Sequence, residues 1–240
     1  MDIRIYDHIK ENLILGVKNI QECKDKGIAY KEKGDFALIP QVFIDTPNVY
    51  NESFTINVTQ DMVNMWNKSL DDVLGDAYAN SKERFRACAI PIENAANFNE
   101  LMPDDNAIYK AYLISNESFV SGGSTIFYSP NIIDDVIKQN DNTGEHTAVI
   151  IPTGENETFC VLVEKGKEED AYMYSDFLSE VNEEKKQSSS YSWPISSEIY
   201  IYNSDEKNLI SLDMTKECKL GTISNDVEKM AFFRRTSSSR

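Results

Sequence analysis

The sequence predicts an α+β fold in which a mixed or largely antiparallel sheet is covered by several helices. Three short apolar runs have the length expected of strands and are separated by turn-forming residues: 109–115, 147–151 and 157–163. Stripes of apolar residues at spacings of three and four predict four helices, at residues 5–26, 70–86, 131–139 and 171–186. We therefore expect residues 109–163 to form the central sheet, with the other segments packed around it.

Local signals indicate where several of these elements begin or end. Gly27 can take the left-handed conformation that commonly ends a helix. Ser69 followed by Asp72 resembles a capping box with Asp in place of Glu, which predicts a helix start. Pro40 has no N–H to donate to a neighbouring strand, so residues 36–44 are predicted to form an edge strand or two short strands.

Two hairpins are predicted from the turn chemistry. Residues 121–124 read Ser-Gly-Gly-Ser and are expected to turn the chain between a strand at 109–115 and a second strand at 125–128. A phosphate-binding loop is the other interpretation of this glycine pair, but it lacks the required lysine and downstream helix. The second hairpin is expected between residues 198–202 and 209–212.

The length of 240 residues allows one domain or two. We interpret residues 1–230 as a single α+β domain, with a helix-rich part at 1–108 and a sheet-rich part at 109–212. Residues 231–240 are rich in serine and arginine and are predicted to form a flexible tail.

The four cysteines are far apart and include no Cys-x-x-Cys pair, so neither a zinc site nor a dense disulfide framework is predicted. The first residues do not resemble a signal peptide. No apolar run approaches the ~20 residues that a membrane-spanning helix needs. These observations predict a cytoplasmic protein that does not insert into a membrane.

The formal net charge is -16 and the calculated pI is about 4.5. Because nucleic-acid phosphates repel so acidic a chain, direct binding to DNA or RNA is not expected. The same charge favours a protein partner with a basic surface. The acidity is concentrated in residues 131–208, which hold 17 acidic and 6 basic side chains.

Catalytic and metal-binding residues are not evident from the sequence. The two histidines are His8, beside an apolar helical stripe, and His146, before a predicted strand. A Cys160–His146 pair would be a possible nucleophile and base, but Cys160 lies in an apolar run, where cysteine is typically a buried hydrophobe. The paired acids lack the spacing of a calcium loop. We therefore predict no catalytic pair, no metal and no cofactor.

Two groups of residues are candidates for an interaction surface. The acidic candidates are Asp134, Asp135, Glu168, Glu169 and Asp170. The aromatic candidates are Tyr172, Tyr174 and Tyr191, because tyrosine is enriched at protein interfaces. The ordinary alternative for the acidic group is that its charge only makes the surface soluble. The ordinary alternative for the tyrosines is that they occupy half-buried strand positions.

Several short motifs, in a fixed order, resemble an uncharacterised domain-of-unknown-function family of anaerobic Gram-positive gut bacteria and their mobile elements. They lie at residues 58–61, 66, 77–81, 112–116, 122–128, 150–152, 180–182 and 195–200. Members of that family usually carry a Ser-Ser-x-His-Glu run after the proline, whereas Pro152 is followed here by Thr-Gly-Glu-Asn-Glu. The resemblance implies a shared fold and no particular activity.

Three functional hypotheses follow. The first is a non-enzymatic accessory protein of a phage or mobile element that acts by binding another protein. The second is an acidic inhibitor that mimics nucleic acid on a host nucleic-acid-binding protein, such as a defence nuclease. The third is an enzyme whose site includes His146, which is disfavoured because no recognisable catalytic set accompanies this residue.

Overall fold

The computed structural model confirms an α+β fold, with two antiparallel sheets among the residues that it describes. The described residues are 2–46, 52–92, 110–141, 143–169, 179, 183, 195–213 and 216–221. The predicted tail at residues 231–240 lies outside this set, as does nearly all of the predicted helix at residues 171–186.

Helices and strands are interspersed along the described residues. The α-helices are α1 (Tyr6–Ile9), α2 (Ile20–Lys26), α3 (Gln60–Met65), α4 (Leu70–Arg84), α5 (Thr125–Tyr128) and α6 (Asn131–Asn140). The strands are β1 (Leu13–Asn19), β2 (Lys31–Lys33), β3 (Phe36–Thr46), β4 (Glu52–Asn57), β5 (Ala87–Pro91), β6 (Ala111–Asn116), β7 (His146–Ile151), β8 (Thr158–Glu164), β9 (Tyr200–Asn203), β10 (Asn208–Ser211) and β11 (Glu217–Lys219). None of these helices has the length and apolar character needed to cross a lipid bilayer.

The long helix predicted over residues 5–26 is wrong, because β1 occupies its centre. Residues 13–17 read Leu-Ile-Leu-Gly-Val, and all five are buried. A run this short and apolar suits a strand covered on both faces as well as it suits a helix, and periodicity alone cannot separate the two. The predicted end at Gly27 is confirmed, since this residue closes α2 with a left-handed φ of 63°.

The first sheet is built around β3, which pairs with β1, β2 and β4. The prediction of an edge strand at Pro40 is therefore wrong. Pro40 lies opposite Leu15, whose N–H donates to Ser81 Oγ at 2.8 Å and whose carbonyl accepts from Ser124 Oγ at 2.7 Å, so neither group points at Pro40. On its other side, Pro40 falls between the segments that pair with β2 and with β4. The missing N–H therefore costs no ladder bond.

The second sheet contains seven strands in the order β11-β10-β9-β7-β8-β6-β5. The predicted antiparallel pairing of β7 with β8 is confirmed, with His146 opposite Glu164 and Ile151 opposite Phe159. The hairpin of β9 and β10 is confirmed as well. Strand β6 pairs with the other edge of β8, so three of the strands predicted within residues 109–163 do share one sheet.

The strand predicted at residues 125–128 is wrong, because these residues form the short helix α5. The preceding glycine pair lies in a 3-10 turn, Gly122–Ser124, which leads directly into that helix instead of reversing the chain. All four side chains of α5 are buried. The residue types suit a strand, but the segment packs into the apolar core, and none of the described strands pairs with it.

The two sheets share one apolar core. A single buried cluster includes Leu15 and Phe36 from the first sheet together with Ile150 and Tyr200 from the second. The Phe36 ring centre lies 5.4 Å from that of Phe127 and 5.3 Å from that of Tyr200. Helix α4 contributes to this core, and its predicted cap is confirmed, since Ser69 Oγ accepts the backbone N–H of Asp72 at 3.1 Å.

Candidate functional site

The register of β7 and β8 separates His146 from Cys160. His146 lies opposite Glu164, whereas Cys160 lies opposite Ile150. The two residues are therefore four positions apart along the strands, or about 13 Å at a rise of ~3.3 Å per residue. His146 and Cys160 do not form a nucleophile–base pair in this structure.

His146 is placed instead beside Asp141, in the loop that connects α6 to β7. Asp141 Oδ2 accepts the backbone N–H of His146 at 2.7 Å and lies 3.4 Å from His146 Nδ1. The Thr143 hydroxyl and further backbone N–H groups also donate to Asp141 and hold the pKa of this carboxyl well below its usual range. The carboxylate thus organises the loop, and His146 is its neighbour.

We predict that Cys160 resists alkylation in the native protein. Its side chain is fully buried, and burial raises the pKa of the thiol to about 12, so the reactive thiolate is scarce at pH 7 to 9. Iodoacetamide labelling followed by peptide mass spectrometry should show modification of Cys160 only after denaturant is added. Stoichiometric labelling of Cys160 at neutral pH without unfolding would contradict this prediction and support a reactive cysteine.

The turn formed by residues 121–124 is a junction between the two sheets. Gly123 N–H donates to the carbonyl of Glu155, in the connection from β7 to β8, at 2.9 Å. Ser124 Oγ donates to the carbonyl of Leu15 in β1 at 2.7 Å. Side chains at the two glycine positions would overlap this connection, since a Cβ on Gly123 would lie 3.0 Å from the carbonyl of Glu155 and closer still to that of Gly154.

A buried lysine lies in the same junction, although the sequence analysis did not single it out. Lys18 in β1 is 5% exposed and Glu22 in α2 is 2% exposed. Lys18 Nζ lies 3.3 Å from Glu22 Oε1 and also forms a short ion pair with Glu155. Lys26 reaches the same Glu22 oxygen from the surface, at 2.8 Å. The cluster neutralises its charges internally and ties the first sheet to the β7–β8 connection.

A second, neutral hydrogen-bond network joins the first sheet to the turn at residues 121–124. Gln41 is buried, donates to Asn57 Oδ1 at 2.9 Å and accepts a short hydrogen bond from Ser121 Oγ. Gly16 leaves room for the Gln41 side chain, because a Cβ there would lie 2.5 Å from Gln41 Oε1. Ser121 holds a left-handed φ of 50°, which is unusual for serine and which this network stabilises.

A second polar junction forms where the hairpin of β2 and β3 meets the second sheet. Asp35 accepts hydrogen bonds from Ser196 Oγ at 2.5 Å and from the hydroxyl of Tyr200. Burial raises the pKa of Asp35, partly opposed by the hydrogen bond from Ser196 and by the charge of Lys216, whose Nζ lies 4.0 Å away. Because Tyr200 is fully buried, this junction holds the sheets together and offers little room for a ligand.

The acidic candidates are not equivalent in the structure. Asp134 is 8% exposed, forms a short ion pair with Lys207 and accepts the hydroxyl of Tyr202 at 3.2 Å. The expectation that Asp134 is exposed is wrong, because it faces the second sheet from α6. Asp135 on the next position of α6 is exposed, as is Glu169 after β8.

The other surface candidates divide into one described residue and four that are not described. Glu168 is half-buried and accepts the backbone N–H of Gly166 at 3.0 Å. Asp170, Tyr172, Tyr174 and Tyr191 lie outside the described residues. Their roles as surface residues stay predictions.

The edge strand β5 and helix α6 enclose an open groove of about 310 Å³. Its apolar lining consists of Ala87, Cys88, Ala89, Ile132 and Val136. Arg86 and Glu117 also line it and form an exposed ion pair at 3.5 Å, while Asp135 lines it from α6. Gln139 completes the lining, so the groove combines small apolar side chains with charged and amide groups. In the part of the chain that the structure describes, no three His, Cys, Asp or Glu side chains converge as a metal site would require.

These features define the molecule as an α+β protein whose two antiparallel sheets are joined by buried polar junctions. The chain belongs to DUF5688, a family of unknown function that it matches over residues 1–204. The predicted membership of an uncharacterised family is thereby confirmed. A search of curated proteins and a search of solved structures each return no match.

Proposed function

We propose that this protein binds another protein through a basic surface of that partner and acts without catalysing a reaction. The supporting observation is how the fold distributes its charge. The buried acids Asp134 and Glu22 are neutralised by lysines of the same chain. Asp135 and Glu169 are exposed and form no ion pair with another described residue. Each such pair cancels one charge of either sign, so the net charge of -16 stays with the other ionisable side chains, among which Asp135 and Glu169 face solvent.

The negative electrostatic field of this protein affects how fast a partner associates with it. A basic partner is attracted over several ångströms and oriented before contact, which raises the association rate constant more than it lowers the dissociation rate constant. The free state of all four cysteines suits action in the reducing cytoplasm. Mimicry of nucleic acid on a host protein is the narrower form of this proposal. An origin in a phage or mobile element is a separate hypothesis.

We predict that association with the partner slows steeply as salt rises. The Debye length falls from ~10 Å at 0.1 M to ~3 Å at 1 M ionic strength. The long-range attraction that steers the two surfaces together is therefore lost before contacts at short range are weakened. The partner would be captured from lysate of a plausible host and identified by mass spectrometry, and stopped-flow association would be followed across a salt series. An association rate constant that does not change with ionic strength would overturn the proposal, as would a partner with an acidic surface.

Charge-reversal variants locate the interaction surface. Asp135→Lys and Glu169→Lys should each lower the association rate constant at low salt and leave the free energy of unfolding nearly unchanged, because both side chains are exposed. Asp25→Lys is the matched control. It makes the same change in charge at an exposed position of α2, in the first sheet's periphery. Equal effects of all three variants would indicate that only total charge matters.

A further inference from the structure

Strand β5 presents an open edge among the described residues. It ends the strand order of the second sheet and pairs only with β6. All five of its residues are half-buried, whereas the next strands, β6 and β8, are buried along most of their length. Sheet edges are commonly protected by charged side chains, as at the opposite edge, where β11 exposes Glu217 and Lys219. The Ala-Cys-Ala-Ile-Pro sequence of β5 carries no such charge.

The hydrogen-bond pattern indicates which main-chain groups of β5 face outward. The carbonyl of Arg86, directly before the strand, accepts the N–H of Glu117 at 3.1 Å. Bonded positions alternate along an antiparallel pair, so Cys88 is bonded to β6, while Ala87 and Ala89 direct their N–H and C=O groups outward. These outward groups form no hydrogen bond with another residue in the part of the chain that the structure describes.

The groove lined by β5 and α6 lies beside this open edge. Ala87 and Ala89 are on the same face of β5 and line the groove, and their small side chains leave it open. From the other side, Asp135 and Gln139 line it one turn apart on α6, and both are exposed. Asp135 forms no ion pair with another described residue, so a negative charge is available next to unpaired main-chain groups.

We propose that the partner contributes an extended, basic segment that adds to β5 as a further strand of the second sheet. The main chain of this segment bonds the outward N–H and C=O groups of Ala87 and Ala89, and a lysine or arginine that faces α6 pairs with Asp135. In strand addition of this kind, main-chain hydrogen bonds give affinity and side-chain contacts give specificity. The proposal rests on the proposed function and specifies how a basic partner is recognised at Asp135.

The mixed lining of the groove suits such an occupant. An extended segment carries a main-chain donor and acceptor at nearly every residue, and the unpaired groups at the edge of β5 complement them. Arg86 and Glu117, which form an ion pair at 3.5 Å, neutralise each other and leave the charge of Asp135 to select a basic side chain. A carboxylate that accepts hydrogen bonds from a cationic side chain forms one of the stronger polar contacts in proteins.

Amide hydrogen exchange followed by NMR would test whether the edge is used. The probe is a blocked synthetic peptide of about eight residues in which lysine and valine alternate, because side chains of a strand alternate between its two faces. At about nine-tenths saturation, exchange of the Ala87 and Ala89 amides should slow about tenfold, since only the free protein exposes them. The Cys88 amide is the internal control and should change much less, because it is already bonded to β6.

Two variants separate main-chain bonding from charge. Ala89→Pro removes an outward N–H without removing a bond to β6, and it should weaken binding of the peptide about tenfold. Asp135→Asn should weaken binding and reduce its dependence on ionic strength. Asp25→Asn is the matched control, since it removes one exposed negative charge from α2, and it should leave binding nearly unchanged. Thermal unfolding of each variant would establish that it is folded.

Several outcomes would overturn this proposal. Slow exchange of the Ala87 and Ala89 amides in the free protein would show that the edge is already covered, by a second copy of the chain if protection grows with protein concentration. Equal protection by a peptide with glutamate in place of lysine would exclude a basic occupant. Binding of the lysine peptide that leaves these amides unprotected would show that charge alone holds it. In that case the proposed function would stand, whereas association that is independent of ionic strength would overturn the proposed function itself.

Discussion

Replacing Gly122 by alanine is expected to destabilise the protein by about 3 kcal/mol or more, through overpacking and the loss of a buried hydrogen bond. A Cβ at this position would overlap Ser115 Oγ and the carbonyl of Asn156. Ser115 Oγ donates to that carbonyl at 2.6 Å, so the methyl group would displace both partners of one hydrogen bond. The backbone oxygen cannot move without shifting the β7–β8 connection. The free energy of unfolding would be measured by urea denaturation followed by circular dichroism.

Gly144→Ala is the matched control for this prediction. Gly144 has a left-handed φ of 76° and no neighbouring heavy atom within 4 Å of an added Cβ, so only backbone strain of ~1–2 kcal/mol is expected. Combining Gly122→Ala with Ser115→Ala should recover part of the loss, because one of the two overlaps is removed. If Gly122→Ala cost no more than Gly144→Ala, close packing of this turn would not be the reason for the glycine.

Lys18→Met is expected to destabilise the fold by about 3 kcal/mol, because it leaves Glu22 and Glu155 without their shared cation. Methionine keeps much of the aliphatic volume of lysine, so the effect is mainly electrostatic. Lys26 still pairs with Glu22, but it does so from the surface with its side chain 52% exposed. Adding Glu22→Gln to Lys18→Met should restore part of the stability, since the uncompensated buried charge is then removed.

Lys24→Met provides the comparison. Lys24 Nζ lies 4.0 Å from Glu32, and the two side chains are 53% and 57% exposed. An exposed pair of this kind contributes about 0–1 kcal/mol. The difference between the two lysine variants in the free energy of urea unfolding measures how much burial adds to the contribution of an ion pair. Equal costs for Lys18→Met and Lys24→Met would show that the inter-sheet cluster is not stabilising.

Helix ends that are marked by capping residues close by in the chain were predictable from the sequence. Helix α4 begins at the Ser69 cap and α2 ends at Gly27, because capping involves only residues three or four apart. The antiparallel pair of β7 and β8 was predictable because a short turn joins two apolar runs. The incorrect predictions concern β1, Pro40 and α5. Each lies in a buried stretch whose conformation depends on which distant strand or helix it meets.

The sequence by itself determined the α+β class, the acidic charge and the ends of several helices, since composition and near-neighbour contacts suffice for these. Only the tertiary structure decided which charges are buried. Lys18 meets a carboxylate 137 residues away, and Asp134 meets a lysine 73 residues away. The groove beside α6 likewise exists only because β5 is placed at the edge of the second sheet. Charge pairing and groove formation depend on distances across the fold, and these are set by strand order and register.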